Sequence, residues 1–420
     1  MKDYIISMKH KLTQSDKQIL IFGAGKIGRS FIGQVFGRNG YKVVFSDVDQ
    51  DIIKLLNERG SYSVEFKSEK TESFLISNVS ALNGIDKEAV INALADSSIA
   101  ATSVGKNALT HIIPLIAQGL QKRFAKYGLH PIDIILAENL VNASTYMYKN
   151  LQDYLPAGFP LKQMAGLVET SIGKMVPIMP EYVRNNDPVL IYAEPYNSLI
   201  VDRKAFSQPV PDIPQLAPKN NIHAWVERKA FIHNLGHAAV AYTGYYRNPG
   251  ATFIWQALED DFTYDFSRKV MLESATALLK KYPMEFSLHD LEDHIDDLLS
   301  RFKNKHLADT IYRVGMDLPR KLSPDDRFLG AVAMAKESGL PYQKILTAYV
   351  YGLFFKAIDE NGDRFSLDIN FSKKLENDFE KTIEEVSGIS KHIQPEIFQF
   401  MKERYAKLKS DRSNSIQAFT

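Results

Sequence analysis

A glycine triplet, Gly23-x-Gly25-x-x-Gly28, follows directly on the apolar run Gln18–Phe22 and leads into helical spacing over residues 29–37. A second short apolar run, 42–46, ends at Asp47, 24 residues after Gly23. Glycines at this spacing arise by chance, but a strand before, a helix after and an acid closing the next strand define a phosphate-cradling turn. Gly23 permits the tight bend, Gly25 lets backbone approach a pyrophosphate, and Gly28 lets helix and strand pack closely. Ala24, Lys26 and Ile27 complete the turn, and the pyrophosphate rests on the unpaired N–H groups of the helix start. Asp47 accepts hydrogen bonds from a ribose 2′-hydroxyl and repels a 2′-phosphate. Val48, Asp49 and Gln50 add no arginine, so NAD is expected rather than NADP.

The surrounding pattern sets the fold class. Strands are expected at 18–22, 42–47, 61–66, 99–103 and 132–137, with helices at 29–37, 51–59 and 109–126. Strand–helix alternation implies an α/β, Rossmann-type doubly wound parallel sheet. The stretch Thr102-Ser-Val104-Gly105 follows the fourth of these strands, so Val104 and Gly105 are expected near the nicotinamide. A further strand is expected over 189–194, opened by Asn186-Asp-Pro188. Residues 209–218 hold four prolines and read as a surface connector. From His223 onward the spacing is helical, with breaks at Asn248-Pro-Gly250, Pro283, Pro319, Pro324 and Pro341. We therefore expect a polar extension (1–17), a dinucleotide-binding domain (18–205) and a mainly α-helical domain (206–420), the boundary falling between about 195 and 222. The polar tail from Lys407 is expected to fray.

Composition removes other classes. Lys plus Arg number 51 against 50 Asp plus Glu, which offers no electrostatic case for nucleic acid or an anionic membrane. No cysteine is present, so disulfides, thiolate catalysis and cysteine-held zinc are excluded. The opening residues lack a signal peptide's apolar core, and the most apolar later run, 346–355, is too short to span a membrane. A cytoplasmic location is expected; oligomeric state is not legible.

One helical stretch carries chemistry. Within Trp225-Val-Glu-Arg-Lys229-Ala-Phe-Ile-His-Asn234-Leu-Gly-His237, an amine, a carboxamide and an imidazole lie among apolar and aromatic residues. At about 100° per residue, His237 falls about 80° round from Lys229, and Asn234 about 60° from His237. Desolvation lowers a lysine's pKa toward neutrality and suits it to proton transfer. The same residues have a plainer account: a lysine snorkelling to solvent, a core histidine, and Asn139 capping a helix after its strand.

The segments Phe22-Gly-Ala-Gly-Lys-Ile-Gly-Arg-Ser-Phe-Ile-Gly33, Ala137-Glu-Asn-Leu140, Asn186-Asp-Pro188, Glu227 through His237, and Arg313 through Arg327 resemble the polyol-specific long-chain dehydrogenases, the mannitol dehydrogenase family, and within it the members acting on a hexitol phosphate. The resemblance runs from about residue 18 to the late 350s, and Lys-x4-Asn-x2-His on a helix is specific to that group. It implies a metal-independent enzyme that oxidises mannitol 1-phosphate reversibly to fructose 6-phosphate with NAD. It implies Lys229 as general acid/base, Asn139 and Asn234 as donors to the reacting oxygen, and His237 as a group that positions the substrate or sets the state of Lys229.

A sugar phosphate needs further cations. Arg313, Arg320, Lys321 and Arg327 lie in one short stretch; Arg320 and Lys321 are favoured, against a solvated surface paired with Asp317, Asp325 and Asp326. Glu194, Asn197 and Asn186 are weaker candidates for hydroxyl contacts. The sequence departs from the family at Val168-Glu-Thr-Ser-Ile-Gly173-Lys174-Met-Val-Pro177, where relatives carry Asp and Arg at the positions of Gly173 and Lys174. A carboxylate for the polyol must then come from Glu169 or Glu138, or the ligand differs. Alternatives are therefore another polyol or a sugar acid, or a non-catalytic nucleotide sensor.

Overall fold

The computed structural model describes residues 17–417, with side chains to 412, so the expected extension lies outside it apart from Lys17. The chain divides into two compact units, Met1–Val226 and Glu227–Thr420. The first contains β1 (Gln18–Phe22), β2 (Lys42–Asp47), β3 (Ser61–Phe66), β4 (Glu72–Ser77), β5 (Val79–Asn83), β6 (Ile99–Thr102), β7 (Ile132–Leu136), β8 (Ala165–Ser171), β9 (Ile191–Ala193), β10 (Leu199–Asp202) and β11 (Leu216–Lys219). Eight of these form a sheet in the order β11-β10-β8-β7-β6-β1-β2-β5. From β8 to β5 every pairing is parallel; β10 joins β8 antiparallel and carries β11 parallel. Winding reverses between β1 and β6, the crevice where such sheets bind ligands.

Both faces of β1 are covered, which is why its sequence is apolar throughout rather than alternating. Ile19 and Ile21 enter one core with Phe31, Phe36 and Val64. Leu20 and Phe22 enter the other with Leu94, Ile113 and Leu120. Those cores are closed by helices α1 (28–37), α2 (Gln50–Arg59), α3 (Lys87–Asp96), α4 (Leu109–Tyr127) and α5 (Ala143–Gln152). Asp49 caps α2 by accepting the amides of Asp51 and Ile52, and Gly60 ends it at φ 62°.

The segment 61–66 is a strand as expected, but it lies outside the large sheet. It pairs antiparallel with β4 and parallel with β9 in a three-stranded sheet of its own. Its alternation, with Tyr62, Val64 and Phe66 buried, is the mark of a strand covered on one face only. The proline-rich connector ends in β11, where Pro218 sits on an edge strand and leaves no ladder bond unmade.

The second unit is helical. Lys229–Asn234 runs directly into α6 (Leu235–Arg247), followed by α7 (Asp261–Lys281), α8 (Leu288–Phe302), α9 (Arg327–Glu337), α10 (Gln343–Gly352) and α11 (Pro395–Gln417). α6 is buried from Leu235 through Gly244 apart from partly exposed His237, and packs against α7 and α10. Pro319 does not break a helix: it stands in the first turn of Leu318–Lys321, where its missing N–H costs nothing. The polar tail continues α11 to Gln417, and residues 418–420 lie outside the description.

Candidate active site

In the first unit the glycine turn is built as its spacing demands. Gly23 has φ +98°, and a Cβ there would stand 2.7 Å from the Ser103 carbonyl. A Cβ on Gly28 would strike the Gly23 carbonyl and the Ser103 hydroxyl. Gly25 has nothing within 4 Å, so glycine at this point leaves room for an incoming group rather than for packing. Gly25 and Lys26 are exposed, Ile27 is partly exposed and Ala24 is buried. The Ser103 hydroxyl lies 3.1 Å from the carbonyls of both Phe22 and Gly23, tying the β6 loop to the β1 turn.

Asp47, at the end of β2, fastens the turn. Its Oδ2 accepts the Ala24 amide at 2.6 Å, and its Oδ1 accepts the amides of Val48 and Asp49. Arg29, in the opening wide turns of α1, donates to the Pro188 carbonyl at 2.8 Å, while Arg59 bonds Asp187 at 2.6 Å. The Asn186-Asp-Pro188 motif is thus docked by two arginines.

Beyond β6 and β7, the buried Glu138 carboxylate accepts the Thr102 hydroxyl at 2.5 Å and the Val104 amide at 3.1 Å. Burial pushes its pKa up. Gly105, at φ +81°, has open space around it, and Asn139 is exposed. Glu169 is buried and accepts both the amide and the hydroxyl of Ser144 at 2.8 Å. Either carboxylate could have replaced the missing acid at Gly173, but Glu138 holds the loop after β6 and Glu169 the first turn of α5. Lys174 is buried; its Nζ donates to the carbonyls of Glu194 (3.0 Å) and Tyr196 (2.7 Å) and to Asn197 Oδ1 (3.1 Å). Glu194 accepts the Met175 amide. These residues form a scaffold rather than an open polar surface.

In the second unit the segment Lys229–Asn234 is wound with i→i+5 hydrogen bonds. A wide turn of this kind advances only about 80° per residue. Asn234 then stands about 40° from Lys229, where an ordinary helix would put it about 140° away, and His237 closes to within about 20°. Such turns are rare and gather at functional sites.

The electrostatics are equally specific. Lys229 is held down to about 8, first by desolvation, then by the charge of Arg327; Asp326 opposes both. His237 stacks on Phe302 with centroids 4.4 Å apart, and its Nε2 lies 3.1 Å from Asp309 Oδ2. Burial lowers its pKa and Asp309 raises it, with burial the stronger. Asp309 also holds Arg313 Nε at 2.7 Å. His233, buried beside His237 and Phe302, is pushed well below its ordinary value by burial.

The four expected phosphate cations are all engaged. Arg320 pairs with Asp317 and Asp326, and Arg313 with Asp309. Lys321 donates to the Val314 carbonyl at 2.5 Å; burial and then Arg327 and Arg320 bring it down to about 7. Arg327 donates to Asp326 at 2.7 Å and to the Asn234 carbonyl at 3.3 Å. The structure thus joins Lys229, Asn234 and Arg327 in one group and His237, Asp309 and Arg313 in another. Asp309 and Phe302 were not anticipated. The only advance signal for Asp309 is its i,i+4 spacing to Arg313. Among the described residues no group of three or more His, Cys, Asp or Glu side chains is placed to hold a metal, and no helix is long and apolar enough to cross a membrane.

The fold and the glycine turn define an α/β dinucleotide-binding protein with a helical second unit. Residues 17–215 match the family described as mannitol dehydrogenase Rossmann domain, and residues 221–408 match mannitol dehydrogenase C-terminal domain. The chain belongs to the mannitol dehydrogenase family. It is 32% identical over 377 residues to mannitol-1-phosphate 5-dehydrogenase of Streptococcus mutans, covering 89% of this chain and 96% of that one. It is also 32% identical over 378 residues to the enzyme of the same name from Lactococcus lactis subsp. cremoris, covering 89% and 95%. Its fold is similar to that of Pseudomonas fluorescens mannitol 2-dehydrogenase, solved as a ternary complex with NAD and D-mannitol. That likeness has a TM-score of 0.71 at 17% identity and covers 98% of this chain and 96% of that one.

Proposed function

We propose that this protein is an NAD-dependent dehydrogenase interconverting mannitol 1-phosphate and fructose 6-phosphate. One observation carries the dehydrogenase reading: a wide turn that brings Asn234 round toward the desolvated Lys229 and is followed by His237, in a chain of this family; the hexitol phosphate follows the relatives named mannitol-1-phosphate 5-dehydrogenase. The cradle at Gly23–Gly28, the open space at Gly25 and Gly105, and Asp47 at the end of β2 fit a nicotinamide dinucleotide. When bound, NAD supplies the hydride acceptor.

During oxidation the neutral Lys229 amine takes the hydroxyl proton as the carbon's hydride departs; in ketone reduction its ammonium returns that proton to the oxygen. Asn234 and the exposed Asn139 are the proposed donors to the oxygen as it becomes alkoxide-like. His237, oriented by Asp309 and Phe302, positions the polyol. We assign the phosphate to Arg320 and Arg313, whose side chains keep 50% and 38% of their surface exposed. Lys321 and Arg327 are too enclosed for first contact. A phosphorylated substrate of this kind supports the reading of a cytoplasmic enzyme.

NADH consumption with fructose 6-phosphate, fructose and tagaturonate tests the substrate directly. The phosphorylated ketose should lead in kcat/KM by about a hundredfold or more. Equal rates with fructose would defeat the hexitol phosphate and leave a free polyol. A lead for tagaturonate would point to a sugar acid.

A further inference from the structure

We propose that Arg327 is a positioning residue for proton transfer: pinned between Asp326 and the Asn234 carbonyl, its guanidinium holds a permanent positive charge against Lys229 and anchors the wide turn that aims Asn234. The inference rests on Lys229 being the acid–base group.

The geometry starts at the first turn of α9. Asp326 caps that helix, and its Oδ1 accepts both the Arg327 amide, at 2.6 Å, and Arg327 Nε, at 2.7 Å. The side chain is only 11% exposed, and Nη1 reaches the Asn234 carbonyl, at the end of the wide turn. A carbonyl has two lone pairs, so it accepts this donor beside its ladder partner. A second contact seats the same turn: a Cβ on Gly330 would stand 2.5 Å from the Phe231 ring, so Gly330 opens the space that Phe231 fills. Two residues at the start of α9 therefore grip the turn, one at Asn234 and one at Phe231.

A guanidinium does not deprotonate in this range, so the charge beside Lys229 is the same at every working pH. Arg327 lowers Lys229 and Asp326 raises it. Other charged groups on the packed elements have partners of their own. Arg301 and His294 of α8 act on His233, as do His237 and Lys229 itself, and Arg228 acts on His294. Glu273 of α7 accepts the amides of Lys344 and Ile345 at the start of α10. The Asp326–Arg327 pair is thus a balance whose two arms move Lys229 in opposite directions. Its enclosure also separates Arg327 from the phosphate-binding role that spacing alone gave it.

The pH profile of mannitol 1-phosphate oxidation, followed by NADH formation, tests this in four variants. Arg327→Gln leaves Asp326 unopposed, and the inflection should rise by about one pH unit, a loss of about tenfold at pH 7 that is recovered at high pH. Asp326→Asn keeps a capping side chain but leaves Arg327 unopposed, so the inflection should fall. Arg327→Lys keeps the charge and loses the fork, so the inflection should stay while kcat drops. Lys229→Ala should abolish turnover while NADH still binds by fluorescence titration. Turnover surviving in Lys229→Ala would overturn the catalytic reading and this proposal together. Loss there, with an unmoved inflection in Arg327→Gln and Asp326→Asn, or with Arg327→Gln raising only KM for the phosphorylated substrate, would overturn this proposal alone.

Discussion

The two units build their sites by opposite means. At the glycine turn the determinants are absences: side chains that are not there let Gly23 and Gly28 close against each other and the Ser103 loop, and leave room at Gly25. At the wide turn the determinants are side chains, each set by a neighbour that differs in charge or shape: Arg327 and Asp326 for Lys229, Asp309 and Phe302 for His237. Substitutions in the first region should act on folding and cofactor affinity, and those in the second on turnover and its pH dependence. The distinction can be broken from either side.

The largest effect is expected at Lys229. Lys229→Ala should lower turnover by about a thousandfold or more while NADH affinity stays within about twofold, measured by steady-state kinetics and fluorescence titration. A comparable loss of NADH binding would erase the contrast. Next come the glycines. Gly28→Ala forces a Cβ into the Gly23 carbonyl and should cost about 1–3 kcal/mol of stability together with cofactor affinity. Gly25→Ala meets nothing within 4 Å, so its melting temperature should be unchanged while NADH affinity falls by about tenfold. Equal melting losses in both would show that Gly25 serves packing after all.

Smaller effects sharpen the picture at the phosphate. Arg320→Ala and Arg313→Ala should each raise KM for fructose 6-phosphate by about tenfold and leave KM for fructose alone. A parallel rise for both ketoses would mean general disruption. The smallest effect concerns stability. Asp133, which accepts the amides of Ser207 and Gln208, is raised to about 6 by burial, against those two amides. A folded-state pKa above the unfolded value of 3.8 means that the native protein binds the extra proton between those limits, so this group's contribution is lost as pH rises from about 4 to 6. The difference in melting temperature between the protein and Asp133→Asn should drift by a few degrees across that window, as thermal melts at stepped pH would reveal. A constant difference would assign Asp133 an ordinary pKa.

What the sequence disclosed follows the same division. The glycine turn, β1, β2, Asp47 and the helix α4 stand where pattern put them, because burial on both faces writes continuous apolar runs and turn geometry demands glycine. The placement of 61–66 in a small separate sheet was missed although its alternation marks one exposed face. β8 was overlooked because Glu169, Thr170 and Ser171 interrupt its apolar run; their polar groups are satisfied by Ser144, the Leu136 carbonyl and the Trp225 carbonyl. The Lys229, Asn234 and His237 set was legible as residue types, but its alignment was not. Nothing in Lys229-Ala-Phe-Ile-His-Asn234 distinguishes i→i+5 winding from the ordinary helix, since Asn234 and Phe231 are held by Arg327, 93 positions on, and by the space that the distant Gly330 opens, only once those residues fold against them. Asp309 and His237 likewise meet only through tertiary structure.

The proton-handling role of Lys229 is tested most directly by kcat/KM for mannitol 1-phosphate oxidation measured from about pH 6 to 10 with saturating NAD. The value should climb with pH and level off above an inflection near 8, to which burial and Arg327 bring the amine. A flat profile across that range, or an inflection near the ordinary lysine value of 10.5, would contradict that role.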